Sequence, residues 1–147
     1  MFSKAEYWLE LCDDDVKVAR NLLKSKDYLW MAFICHLVVE KSIKAVIADR
    51  TNQEPKRIHD LAKLAEQANV VDELTDTQMD FLEELTPYNI EARYPSYKEK
   101  MAAKLSAEYC ESLLIRTEEF LCWTKQKLEK LPNPIQAEYG QNITLNK

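Results

Sequence analysis

Apolar residues recur at helical spacing along most of the chain, in blocks separated by turn-forming residues. In the first block Ala5, Trp8, Leu9, Cys12, Val16, Ala19, Leu22 and Leu23 share one face, and Asp13, Asp14, Asp15, Lys17 and Arg20 fall mostly opposite. That pattern predicts a surface helix with one buried stripe over roughly residues 4–25. Ser3 and Glu6 form a capping box, with Phe2 at the staple position before it. The sequence "SKDY" breaks the helix, and Asp27 is placed to cap the next. That second helix, about 28–50, has a different pattern: from Leu29 to Val39 it is apolar all round except for His36. A helix without a polar face lies at the centre of its bundle or is covered by a second copy of the protein. Its last turns regain a polar face through Glu40, Lys41, Lys44 and Arg50. Glu40 and Lys44 are an i,i+4 pair in the favourable order, worth about 0.3 kcal/mol on an exposed helix.

The later blocks are shorter. Ile58, Leu61, Leu64, Ala65 and Ala68 predict a third helix over about 58–69. Thr75 with Gln78 is a second capping box and opens a fourth helix, striped by Met79, Leu82 and Leu85 and ending near Pro87. A non-periodic stretch, "NIEARYPSYKEKMAAK", follows from Asn89 to Lys104. A fifth helix is expected over about 100–130, with Leu105, Tyr109, Leu113, Leu114, Phe120, Leu121 and Leu128 inward. The remainder has two prolines, the lone glycine and no periodicity, and reads as a frayed tail. The expectation is an all-α, up-and-down antiparallel bundle of about five helices over residues 1–130, with a flexible tail over 131–147.

Composition narrows the functional classes. A single glycine, Gly140, excludes the Gly-rich phosphate loops of Walker and Rossmann type, which need glycine for close backbone approach. Cys12, Cys35, Cys110 and Cys122 are scattered without metal-ligand spacing and read as buried reduced thiols. No metal cluster and no cofactor are expected. Lys4 and Glu6 interrupt any signal-peptide run, and "YLWMAFICHLVV" is too short to span a bilayer, so a cytoplasmic protein is expected without membrane association. The net charge of −5 argues against broad nucleic-acid binding but leaves room for a local basic site.

Such a site is suggested by uneven charge. Between Leu64 and Ala92 there are eight acids and no Lys or Arg, whereas Arg93 to Lys104 holds four basic residues and one acid. Arg93 can hold a phosphate bidentately. Tyr94 and Tyr97 beside it suit stacking on a base, and Lys98, Lys100 and Lys104 add positive field. The alternative is that Arg93 pairs with the acids of the fourth helix while the tyrosines pack on the bundle. Of the two histidines, His36 reads as a satisfied core residue. His59, beside Lys56 and Arg57, either caps the third helix or faces a shared cleft.

Three segments carry a family resemblance. "AFICHLVVEKSIKAVI" (Ala32–Ile47), "PKRIHDLAKL" (Pro55–Leu64) and "IEARYP" (Ile90–Pro95) resemble, in order, the E-K-x-x-K-A, T-H-x-L and R-Y-P segments of the HEPN family of prokaryotic helical domains. Glu40, Lys41, Lys44 and Ala45 match the first segment, His59 and Leu61 the second, and Arg93, Tyr94 and Pro95 the third. Ile58 stands where the family often has Thr. The resemblance covers about residues 5–128. It implies a helical bundle, commonly a homodimer, that is often the partner of a minimal nucleotidyltransferase in a toxin–antitoxin pair. In related pairs the transferase modifies a tyrosine near the Arg motif, which makes Tyr94 and Tyr97 candidate acceptors. Many members are metal-independent ribonucleases in which an Arg and a His, four to six residues apart, meet across the dimer cleft. Here that spacing from Arg93 lands on Lys98, Glu99 and Lys100, so the nuclease signature is incomplete. Lysine supplies charge but is a poor proton shuttle near neutral pH. The resulting expectation is a protein that binds RNA or a nucleotide through Arg93, Tyr94, Tyr97, Lys98, Lys100, Lys104, Arg57 and His59. The rivals are an active ribonuclease using Arg93 and His59, and a helical protein-interaction module.

Overall fold

The structure, a computed structural model, describes the backbone of residues 3–90 and 95–128 and the side chains of residues 3–89 and 99–128. Phe2, the Arg93–Tyr94 pair and the expected tail over 131–147 lie outside the described residues. The elements are α1 (Lys4–Lys24), α2 (Tyr28–Arg50), α3 (Leu61–Gln67), a 3-10 turn (Val71–Glu73), α4 (Asp76–Leu85), α5 (Pro87–Ile90), α6 (Pro95–Ala102) and α7 (Ala107–Leu128). No strand occurs among the described residues, and the chain is an all-α bundle.

Local chemistry sets most boundaries. Ser3 accepts the Glu6 N–H at 3.1 Å and starts α1. Thr75 and Gln78 form the full reciprocal capping box that starts α4. Asp27 occupies the N-cap position of α2 but makes no capping bond; its carboxylate accepts the Ser25 hydroxyl instead. Lys26 takes the left-handed conformation, φ 65°, which lets the chain reverse tightly between α1 and α2. The expected helix over 100–130 is two helices. Pro95, pre-set for a first helical turn, opens α6 inside what reads as a linker. α6 then tightens through bonds from Lys104 N–H to Met101 O and from Leu105 N–H to Ala102 O. Ser106 accepts the Tyr109 N–H at 3.1 Å as α7 begins.

α2 is the centre of the bundle. Twelve of its residues are buried, including Met31, Val39, Ile43 and Ile47. α1, α3, α4, α5, α6 and α7 all pack against it. The core continues through Leu61 and Leu64 of α3, Leu82 and Leu85 of α4, Met101 of α6 and Leu113 of α7. Phe81 is also buried, on a stripe for which the sequence pattern suggests Met79. Cys12, Cys35 and Cys110 are buried as expected, but Cys122 is exposed on α7. Among the described residues no helix is long and apolar enough to cross a membrane.

Ion pairs lace the outer contacts. α1 runs antiparallel to α7, and Arg20 pairs with Glu118 while Lys125 reaches Asp13 at 2.6 Å. α4 is tied to α7 by Glu84, which accepts both terminal nitrogens of Arg116 at 3.0 and 2.9 Å. Glu73 joins Arg50 of α2 to Lys127 of α7. The Arg50 hydrogen bond, ahead of the burial that opposes it, holds the Glu73 carboxyl down at about 2. A carboxyl with a depressed folded pKa stabilises above its unfolded value and loses that contribution as pH falls toward the folded one. Glu73→Gln is therefore expected to flatten the fall in stability between about pH 4.5 and pH 2. Urea unfolding across that range checks this, and an unchanged slope would contradict it.

Candidate functional site

The residues between α2 and α3 form a loop held at both ends. At its start Thr51 donates its hydroxyl to Ile47 O at 2.8 Å and accepts the Gln53 N–H at 3.1 Å. In its middle the Gln67 side chain, reaching back from α3, donates to Glu54 O and accepts the Lys56 N–H, both at 2.9 Å. At its end Asp60 caps α3 by accepting the Lys63 N–H at 3.1 Å. The Leu61 N–H donates to the Thr86 hydroxyl at 3.3 Å, which ties the start of α3 to the end of α4. These bonds fix the backbone on either side of His59.

His59 itself is gripped twice by α2. Its carbonyl lies 3.0 Å from His36 Nε2, and its ring Nδ1 lies 2.8 Å from Glu40 Oε1. The other Glu40 oxygen accepts from Lys44 at 3.1 Å, and Lys44 in turn sits over the Trp8 ring, 5.7 Å from its centre. Burial differs sharply within this group. His36 is fully buried and Glu40 is 5 % exposed, whereas the His59 side chain is 42 % exposed. A buried carboxylate thus backs an imidazole that meets solvent.

The electrostatics follow from those contacts. Burial alone would raise the Glu40 pKa, but hydrogen bonds from His59 and Lys44 outweigh it, and the carboxyl lies below its ordinary value. Burial pushes His36 down to about 4, against the upward pull of Glu40. His36 is therefore neutral near pH 7, and its Nε2–H donates to the His59 carbonyl. Its Nδ1, 3.8 Å from Glu40 Oε1, keeps a lone pair without a hydrogen-bond partner.

The other expected site residues fall into groups. Arg57 is exposed in the same loop as His59. Tyr97 and Lys98 belong to α6, but their side chains lie outside the described ones, as do Arg93 and Tyr94 entirely. Lys100 and Lys104 are exposed, on and just after α6, and α6 packs on the helix that carries Glu40. Arg57 and His59 thus share one loop, while nothing described joins Arg93 to them. In the sequence Glu40 reads as half of a helix pair and as part of the first family segment, and neither reading shows that it is buried against His59. The available signal was His36 four residues before it, on the same side of α2. Asn89, four residues before Arg93 in sequence, is buried with neither amide atom partnered.

The fold and these contacts can be set beside known proteins. A family model described as HEPN domain matches residues 5–128. The chain belongs to the HEPN domain family. Two solved structures share the helical fold seen here. One, TT1696 from Thermus thermophilus, is 21 % identical with a TM-score of 0.74, covering 86 % of this chain and 100 % of that one. The other, ST0689, an archaeal HEPN homologue, is 19 % identical with a TM-score of 0.59, covering 87 % of this chain and 99 % of that one. At such identities the likeness speaks to fold. No curated protein matches the sequence. The family match places all three resembling segments inside one HEPN domain, with Glu40 of the first brought against His59 of the second only through folding.

Proposed function

We propose that this HEPN protein binds RNA or a nucleotide at the face around His59, and that it does so as the partner of a minimal nucleotidyltransferase. The observation that carries the reading is the solvent-facing His59 imidazole held by buried Glu40. A surface histidine with no role beyond capping needs no buried carboxylate behind it, because desolvating that carboxylate costs free energy. Arg57, two residues before it, supplies charge; Arg93 and Tyr94 extend the site on family grounds, and Tyr97, Lys98, Lys100 and Lys104 do so through the aromatic and basic composition of that stretch. The protein acts as a homodimer in this reading. Supporting that, Trp30 and Leu37 leave apolar surface part-exposed along α2, with Trp30 52 % exposed. Sedimentation at twice the 17.2 kDa chain mass is expected.

One observation favours a second reading. A carboxylate hydrogen-bonded to an imidazole is also the arrangement that orients a general base. In that reading His59 and Arg93 cleave RNA.

Fluorescence anisotropy with a labelled single-stranded RNA separates these possibilities. Binding is expected to weaken steeply as salt rises, because phosphate contacts release counterions. Arg93→Ala and His59→Ala are each expected to weaken it about tenfold, the loss of one charged or hydrogen-bonded contact. Gel analysis of the same mixtures is expected to show intact RNA. Cleavage lost in Arg93→Ala would favour the ribonuclease, and no binding even at low salt would favour a protein-interaction module.

A further inference from the structure

We propose that Glu40 is a positioning residue that fixes which ring nitrogen of His59 meets the ligand, and that the group met there is a ribose hydroxyl. The proposal deepens the reading of His59 as a ligand-binding residue and rests on it, but its first test needs no ligand.

An ionised carboxylate only accepts hydrogen bonds, and an ammonium only donates them. Glu40 Oε2 takes the Lys44 bond at 3.1 Å, and Glu40 Oε1 faces His59 Nδ1 at 2.8 Å. Nδ1 must therefore carry the proton. In the neutral ring this leaves Nε2 as an acceptor, and Nε2 is the ring nitrogen left free for a ligand on a side chain that is 42 % exposed. A phosphate oxygen has no proton to offer such an atom. A ribose hydroxyl does, and the neighbouring Arg57 can meet the phosphate beside it. The site so built distinguishes RNA from DNA by the 2′-hydroxyl.

The backbone clamp strengthens the constraint. His36 donates from Nε2 to the His59 carbonyl at 3.0 Å, so the loop cannot slide to present the other nitrogen. The same clamp leaves the His36 Nδ1 lone pair 3.8 Å from Glu40 Oε1. Glu40→Gln then has a defined outcome. The amide oxygen goes to Lys44, which can only donate, and the amide NH2 takes the place of Oε1. There it faces lone pairs on both His36 Nδ1 and His59 Nδ1. His59 moves its proton to Nε2, and the ligand-facing atom changes from acceptor to donor.

Nitrogen-15 NMR of the histidine rings, at a pH where His59 is neutral, reads the tautomer directly. Wild type is expected to show Nδ1–H, Lys44→Met to keep it, and Glu40→Gln to show Nε2–H. Binding of matched RNA and DNA strands is then compared. Wild type is expected to prefer RNA about tenfold, one hydrogen bond's worth, and Glu40→Gln to lose that preference. Nε2–H in the wild type overturns the positioning role of Glu40 without recourse to any variant. So does Nδ1–H retained in Glu40→Gln. Equal affinity of wild type for RNA and DNA overturns the ribose contact. Failure of wild type to bind RNA at all overturns the underlying binding reading, while the tautomer result still decides the positioning role of Glu40.

Discussion

Replacing Glu40 with alanine is expected to destabilise the protein by about 3 kcal/mol. The carboxylate is 5 % exposed and holds two donors. Removing it strands the Lys44 ammonium, whose side chain is 14 % exposed, and leaves the His59 Nδ1–H without its acceptor. Breaking one side of a buried ion pair costs about 3–5 kcal/mol. The lower end applies because His59 can turn its ring toward water. Lys41→Ala is the control: its partner Asp15 lies 2.6 Å away, but both side chains keep about a fifth of their surface. That loss is expected to stay near 1 kcal/mol. Urea unfolding of the two variants at pH 7 checks the contrast. Equal losses would mean that Glu40 is no more than one more surface pair.

Acidification is expected to weaken the fold before ordinary carboxylates begin to titrate, and His36 is the cause. Its ring is fully buried. Burial lowers its pKa from 6.5 to about 4. Glu40 and the His59 carbonyl pull upward, and the His59 ring and Lys44 push downward. Between those two values the unfolded chain binds a proton that the folded one does not, so stability falls as pH falls. At about 1.4 kcal/mol per unit, the full loss by pH 4 is about 3 kcal/mol. Below that, both states are protonated at His36 and its contribution stays flat, while Glu73 and the other depressed carboxyls take over. His36→Gln is expected to remove most of the decline between pH 6.5 and 4, whatever it does to stability at pH 7. A mutant curve parallel to wild type would contradict this.

Much of the fold is written in local chemistry. Ser3 and Thr75 announce their helices because a hydroxyl that accepts an N–H three residues on works the same way in any bundle. The all-apolar part of α2 indicates a helix that is central or covered by a second copy, and it is central in the bundle. The break before α7 was illegible because Leu105 continues the apolar spacing across it, and the Ser106 cap is its one sign in the sequence. Pro95 is ambiguous in sequence, since proline both ends structure and begins helices. The site was less legible for a different reason. His59 stands out by rarity, and the family segments point to it and to Arg93. Glu40 looks like a solvated residue until the loop after α2 folds back and covers it. That closure depends on Gln67 and Thr86, distant residues whose contacts no spacing rule reveals.

Whether the face around His59 receives RNA or a nucleotide is decided by mapping backbone amide shifts by NMR during titration with a short single-stranded RNA. Saturable shifts centred on residues 56–61 of the loop and 36–44 of α2 are expected. Shifts centred instead on the α1–α7 groove around Lys17, Arg20 and Lys125, or no shifts at low salt, would contradict binding at this face.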